Sequence, residues 1–282
     1  MKRKADLLIR LVRDLLLELN YLLTIFQYRL SDCDPEIVVS MTSYPARIRG
    51  SWVAVESLFR QNMRCFRLVL VLAHSQFPGK KLPIMIRLME KKGLEVHWVE
   101  EDNRSWDHLW PAYSAYPDAK IISVDDDKIF PPDLLDKLSI ASNKNPGYII
   151  GARGWEMRLV GGELSFGVDW VRATASTPSE ALFMPPGNGS LYPPGSLPDL
   201  AGDTALMRDV CPRADDVWYW AMARLKRTPS LCLGLPAHRP SRPQSRTLAL
   251  ADEDPGPAEF AAVLKRFGIK NLDLTKLKTE TS

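Results

Sequence analysis

Cysteine, histidine and unbroken apolar runs are all scarce in this chain of 282 residues. Its four cysteines, Cys33, Cys65, Cys211 and Cys232, lie far apart and form no CxxC pair. That argues against a disulfide scaffold and a cysteine zinc site, and fits a reducing compartment. Charge is nearly balanced, with 37 Lys and Arg against 34 Asp and Glu. The excess is too small for a protein that coats nucleic acid, so no nucleic-acid partner is expected. A secretory signal is not visible either. The first apolar stretch is interrupted at Arg10, Arg13, Asp14 and Glu18 and has no small-residue cleavage site. The same charges argue against a clean membrane span. Internal repeats are absent. What remains is the composition of a globular chain long enough to bury a core, 45% hydrophobic and 25% charged.

The small positive excess has an address. Residues 1–30 carry Lys2, Arg3, Lys4, Arg10, Arg13 and Arg29 against Asp6, Asp14 and Glu18, so the whole net charge of +3 sits there. Without Pro or Gly, residues 5–30 read as a helix. Two placements suit it: an amphipathic helix packed on the domain or on a second subunit, or a basic helix lying on an anionic membrane surface.

Beyond Pro35 the pattern alternates. Short β-branched or apolar runs at 36–41, 67–73, 94–99, 120–124 and 147–150 predict strands, and helical patterns at 51–61, 82–92, 106–116 and 134–143 lie between them. Pro111 is a weak point in the third helix. Strands alternating with helices predict an α/β fold with a mostly parallel, Rossmann-like central sheet covered on both faces. Ligands of such sheets bind beyond the carboxyl ends of the strands. The Gly- and Pro-rich segment 184–198 reads as loop, 236–246 as a basic proline-broken loop, and 215–227 and 258–267 as helices. The second half reads as an elaboration of one domain.

The most informative stretch is KIISVDDD, residues 120–127, where an apolar strand delivers Asp125, Asp126 and Asp127 to its carboxyl end. Adjacent like charges repel, and a bound divalent cation removes that cost. Hard oxygen ligands suit Mg²⁺ or Mn²⁺, which take one or two carboxylates and complete their shell with substrate phosphates. In extended chain Asp125 and Asp127 point to one side and Asp126 to the other, so this DxD spacing suits one metal–diphosphate site. A solvated acidic turn before the next helix, with Asp133 as its cap, explains the run without any ligand.

Five blocks then occur in order: VVSMTSYPAR (38–47), VEEDNRSWDHLWPA (99–112), IISVDDDKIFPP (121–132), GNGSLYPPG (187–195) and ADDVWYWAM (214–222). Together they resemble a bacterial glycosyltransferase with a GT-A fold, of the DxD-containing group associated with surface-polysaccharide synthesis. The resemblance spans about residues 36–222. It implies a GT-A-like single domain, a nucleotide-diphosphosugar donor, a divalent cation (Mn²⁺ or Mg²⁺) and a glycan or lipid-linked acceptor. By position it implies that Thr42, Ser43, Tyr44 and Arg47 face the nucleotide and that Asp102 and Arg104 face base or phosphate. Asp125 would hold the ribose or the metal's water shell beside Asp126, and Asp127 would bind the metal directly. Gly187, Asn188 and Gly189 would line the acceptor cleft, and Asp216 or Asp215 would supply the catalytic base. The family pattern usually carries a basic residue or two soon after the pair at 104–105. This chain has Asp107 and His108 there, which puts a phosphate contact from that helix in doubt.

Simpler explanations stand beside these roles. Asp215 and Asp216 precede a helix and could both be caps. His238 could complete the metal shell through its imidazole, or be an ordinary surface or core histidine, which is also the reading for His74, His97 and His108. Arg239, Arg242 and Arg246 could hold a diphosphate or line a solvated loop. Trp218 could stack on an acceptor sugar, though Trp218, Tyr219 and Trp220 serve a core equally well. Residues 1–30 are expected as the basic amphipathic helix, 31–270 as the catalytic domain and 271–282 as a tail. The protein is expected in the cytoplasm, peripheral on the inner face of the membrane. A nucleotidyltransferase or a non-catalytic nucleotide-sugar-binding protein on the same sheet are the alternatives.

Overall fold

A computed structural model describes residues 2–30, 35–161, 163–174, 178–179, 181–241 and 255–269. Cys33, Arg242, Arg246 and the expected tail after Asn271 lie outside the described residues.

The predicted alternation is present. Seven strands form the central sheet: β1 (Ile37–Thr42), β2 (Arg67–Ala73), β3 (Leu94–Val99), β4 (Lys120–Val124), β5 (Ile149–Gly151), β6 (Asn188–Tyr192) and β7 (Ser230–Cys232). Their spatial order is β7-β5-β6-β4-β1-β2-β3. β6 is antiparallel to both its neighbours, and every other pairing is parallel. The helices are α1 (Lys2–Leu23), α2 (Ile48–Phe59), α3 (Ile84–Glu90), α4 (Trp110–Ala115), α5 (Leu134–Lys144), α6 (Thr204–Val210), α7 (Asp215–Lys226) and α8 (Gly256–Phe267).

Both faces of the sheet are covered, which is why its strands read as continuous apolar runs. Successive residues serve opposite cores. Val39, Met41, Leu68, Leu70, Ile122 and Val124 join one cluster with Leu58 and Phe59 of α2 and Leu138 of α5. Val38, Val69, Val71 and Ile121 join the other with Trp106, Leu109 and the aromatic run of α7.

Four expectations change. The first helix ends at Leu23, short of residue 30. The Thr24 hydroxyl bonds back to the Asn20 carbonyl and β-branched Ile25 turns into the core, both of which disfavour another helical turn. Pro111 opens α4 and does not interrupt it: a 3-10 turn over Arg104–His108 precedes the helix, and proline suits a first turn whose N–H groups need no partner. The Gly- and Pro-rich loop hides β6, a buried strand between β4 and β5 whose bulge falls at Gly189, φ +87°. Cys65 is disulfide-bonded, so the reading of the cysteines as a reduced set fails there, whereas Cys211 and Cys232 are free and buried. Among the described residues no helix is long and apolar enough to cross a membrane.

Candidate active site

The parallel strands end together, and the chain just beyond each of them builds one cavity of about 350 Å³. Thr42, Ser43, Tyr44 and Arg47 follow β1, and Gln76 follows β2. Asp102, Arg104, Ser105, Asp107 and His108 follow β3, and Asp125 and Asp126 follow β4. Eight predicted residues therefore line a single cavity.

The three aspartates part company. Asp126 turns inward and is almost fully buried, accepting a hydrogen bond from Ser43 Oγ (2.6 Å) and pairing with Arg47 Nη2 (3.0 Å). Burial lifts its carboxyl to about 6 against the opposing charge of Arg47. The same guanidinium pairs with Asp127. Asp125 is held by Lys128 Nζ (2.5 Å), which also donates to Asn188 Oδ1 (2.6 Å). Burial would raise the Asp125 carboxyl, but Lys128 and then His108 outweigh it and keep it below its ordinary value. Asp127 is pushed up by burial and by the charge of Asp125. Gly187 closes this corner. Its carbonyl accepts from the Asp125 N–H (2.9 Å), and a Cβ at Gly187 would lie 1.9 Å from Asp125 Oδ1, so any side chain here would displace the Asp125 carboxylate.

A second group of charges faces Asp125 from α7. Neither Asp215 nor Asp216 caps that helix; the cap position belongs to Ala214, which makes no side-chain cap bond. Asp215 has both oxygens engaged, Oδ1 by Ser105 Oγ (2.6 Å) and Oδ2 by His108 Nε2 (2.7 Å). His108 Nδ1 meets Ser123 Oγ at 2.6 Å, and the His108 carbonyl lies 3.3 Å from the same hydroxyl. Asp215 accepts at Nε2, and at Nδ1 Ser123 is donor or acceptor according to the tautomer of the ring. Burial opposes a charge on the ring, but the hydrogen bond and charge of Asp215 prevail and the His108 pKa rises. Asp216 accepts no hydrogen bond among the described residues. Burial, then Asp215 and Asp125, push its carboxyl well above the ordinary value, with His108 and Lys128 pulling the other way.

Other expected residues find different work. Trp218 is fully buried, its Nε1 donates to the Ala201 carbonyl (3.0 Å) and its ring packs on Phe267. It is a core residue and offers no face to an acceptor. His238 donates from Nε2 to the Asn188 carbonyl (2.7 Å) and packs edge-on to Phe130. Burial lowers its pKa, and with Nε2 committed to the Asn188 carbonyl the lone pair of the neutral ring lies on Nδ1. Asp133 sits at the cap of α5 without a cap bond and pairs with Lys137 instead. Gly189 packs under Leu134, inside the sheet and not along a cleft. Arg239 pairs with Asp14 of α1.

Among the described residues no three His, Cys, Asp or Glu side chains gather as a metal cluster. The chemistry of the donor set still fits a hard divalent ion. Asp125 and Asp127 are close enough to repel, and such an ion needs only one or two carboxylates when a diphosphate completes its shell.

Asp107, in doubt as a phosphate contact, is buried and accepts from the Asn103 N–H and Nδ2, each at 3.1 Å. Burial raises its carboxyl to about 6 despite those bonds. A carboxyl that holds its proton more tightly when folded adds stability below its unfolded pKa and loses it as pH rises through about 6. Asp107→Asn should therefore gain on the parent protein by up to about 3 kcal/mol between pH 4 and pH 7. Thermal unfolding of both proteins across that window measures it, and a difference independent of pH would contradict the assignment.

Four participants carried little signal in the sequence: Lys128, Ser105, Ser123 and His108. Only His108 stood out, as half of the departure from the family pattern.

No family model and no curated protein matches the chain. Solved structures resemble it loosely. S. aureus TarS 1-349 in complex with UDP-GlcNAc aligns at 14% identity over 82% of this chain and 64% of its own, with TM-score 0.48. The mannosyltransferase PcManGT from Pyrobaculum calidifontis, in complex with GDP-Man and Mn2+, aligns at 14% identity over 44% of this chain and 38% of its own, with TM-score 0.35. A 4-diphosphocytidyl-2C-methyl-D-erythritol synthase aligns at 10% identity over 77% and 98%, with TM-score 0.43. The chain thus spans less than two thirds of the first two.

Proposed function

We propose that this protein is a GT-A-like glycosyltransferase that moves a sugar from a nucleotide-diphosphosugar to a hydroxyl of a glycan or lipid-linked acceptor in surface-polysaccharide synthesis. The observation that supports it best is the meeting of two acidic groups of different character beside one cavity. Asp125 and Asp127 are paired with cations, whereas the Asp216 carboxyl accepts no hydrogen bond among the described residues and is raised well above the ordinary value by burial and its acidic neighbours.

Sugar transfer breaks the bond between the anomeric carbon and the diphosphate and makes one to the acceptor oxygen. The acceptor hydroxyl must lose its proton as it bonds, and Asp216 is the group free to take it. Asp215 cannot, because Ser105 and His108 hold both its oxygens. Mn²⁺ or Mg²⁺ held by Asp125 and Asp127 would supply Lewis-acid stabilisation of the departing diphosphate. Arg47 and Arg104, both lining the cavity, add positive charge where that group leaves. The volume falls at the lower end of the range for small-ligand sites.

A panel of sugar nucleotides with Mn²⁺ tests the reading. The expected result is release of nucleoside diphosphate from one of them, rising when acceptor is added. Consumption of a nucleoside triphosphate with release of pyrophosphate would replace it with a nucleotidyltransferase. Thermal stabilisation without turnover would replace it with a binding protein.

A further inference from the structure

Helix α1 is apolar on two sides. Its inner side is occupied: Tyr21 and Ile25 are buried, and Leu17 and Tyr28 pack on the same core. Arg60, just past α2, lies between the rings of Tyr21 and Tyr28, at 4.3 and 4.4 Å from their centres, and donates to Thr24 Oγ1. Asp14 is tied to Arg239. With these contacts made, the helix cannot roll to bury its other side.

That other side carries Val12, Leu15, Leu16, Leu19, Leu22 and Leu23, all exposed, from 47% at Leu22 to 75% at Leu23. Phe26, just past the helix, continues the row and is 61% exposed. At 100° per residue the row covers an arc of about 120°. A two-helix seam uses a narrower stripe, with two apolar positions in seven. Leu16 and Leu23 widen this one beyond it. The segment also holds the entire net positive charge of the chain; on the helix, exposed Arg13 borders the row on one side and half-buried Glu18 on the other.

We infer that the outer face of α1 docks on an anionic lipid bilayer. A broad apolar arc and a local basic excess are what an interfacial helix presents to acidic headgroups. The inference does not depend on the proposed chemistry. It does touch the candidate site: Arg239–Pro240 pairs with Lys128–Ile129, and the Ser241 N–H donates to the Asp127 carbonyl (2.7 Å). The residue that anchors α1 through Asp14 therefore belongs to the segment that holds the acidic loop.

Sedimentation of the full chain with vesicles of phosphatidylglycerol and phosphatidylcholine tests the docking. The chain is expected to bind these vesicles, to bind pure phosphatidylcholine less, and to be released by added salt as surface charge is screened. The double variant Leu15→Glu/Leu19→Glu should lower binding by about tenfold or more. Both side chains are exposed, so an unchanged unfolding midpoint is expected for this variant. Arg13→Glu should weaken binding to the anionic vesicles alone. A chain that stays in the supernatant, or a double variant that sediments like the parent, overturns the inference. So does a dimer in solution that the double variant makes monomeric while vesicles capture nothing; the face would then belong to a second copy.

Discussion

Asp216→Asn is expected to lower the rate of sugar transfer by about 10²–10⁴-fold, the usual contribution of a general base, while donor affinity stays unchanged. The two aspartates at the start of α7 differ in what already holds them. Asp215 is locked between Ser105 and the His108 ring, and Asp216 is not. A base must be ionised to act, and burial with two carboxylate neighbours raises the Asp216 pKa, so activity should climb with pH through that raised value. His108 is a positioning residue here. Its positive charge pulls the Asp216 pKa down, so His108→Gln should move the acid limb of kcat/KM to higher pH. A merely structural histidine would lower activity at all pH values without moving the limb. Parental turnover in Asp216→Asn would remove this residue from the mechanism.

Asp127→Asn should cost about tenfold or more in Mn²⁺-dependent donor affinity, since loss of a metal's partners typically costs at least that much. Calorimetry with and without Mn²⁺ separates this from a general weakening. Asp126→Asn is the useful contrast. Asp126 faces Ser43 and Arg47 in the interior. Its loss leaves Ser43 and Arg47 without that partner, at a cost of about 1–3 kcal/mol that shrinks as pH rises through about 6, as for Asp107, and should spare the metal dependence. If both variants lose Mn²⁺-dependent affinity equally, the division of roles among the three aspartates is wrong. If Asp127→Asn keeps it, the ion is held elsewhere or is not used.

Much of this architecture was legible before any coordinates. Short apolar runs alternating with amphipathic segments define strands and helices by local periodicity, and a parallel sheet places its ligands at one set of strand ends. Thr42, Ser43, Tyr44, Arg47, Asp102, Arg104, Asp125 and Asp126 meet in one cavity for that reason, while Asp127 lies outside its lining. The expected alternation, with Asp126 facing away from Asp125 and Asp127, does not hold: the three lie in a turn past β4, where Asp125 and Asp126 line the cavity and Asp127 shares Arg47 with Asp126.

Where side chains from distant segments meet was not legible. His108 and Asp215 are 107 residues apart, and nothing near either marks the other. Arg47 was expected to face a nucleotide, yet its guanidinium also bridges Asp126 and Asp127. β6 was hidden because Gly and Pro report local freedom, while its strand conformation is imposed by β4 and β5 on either side. Trp218 and His238 stayed open between two readings for the same reason: an aromatic or an imidazole looks alike in a core and in a cleft until its neighbours are known. Sequence alone determined the strand order of chemistry along the chain, because periodicity and charge spacing are local. Tertiary structure decided which carboxylate is bound, which is buried and which is free, because desolvation and ion pairing depend on contacts that the chain makes only when folded.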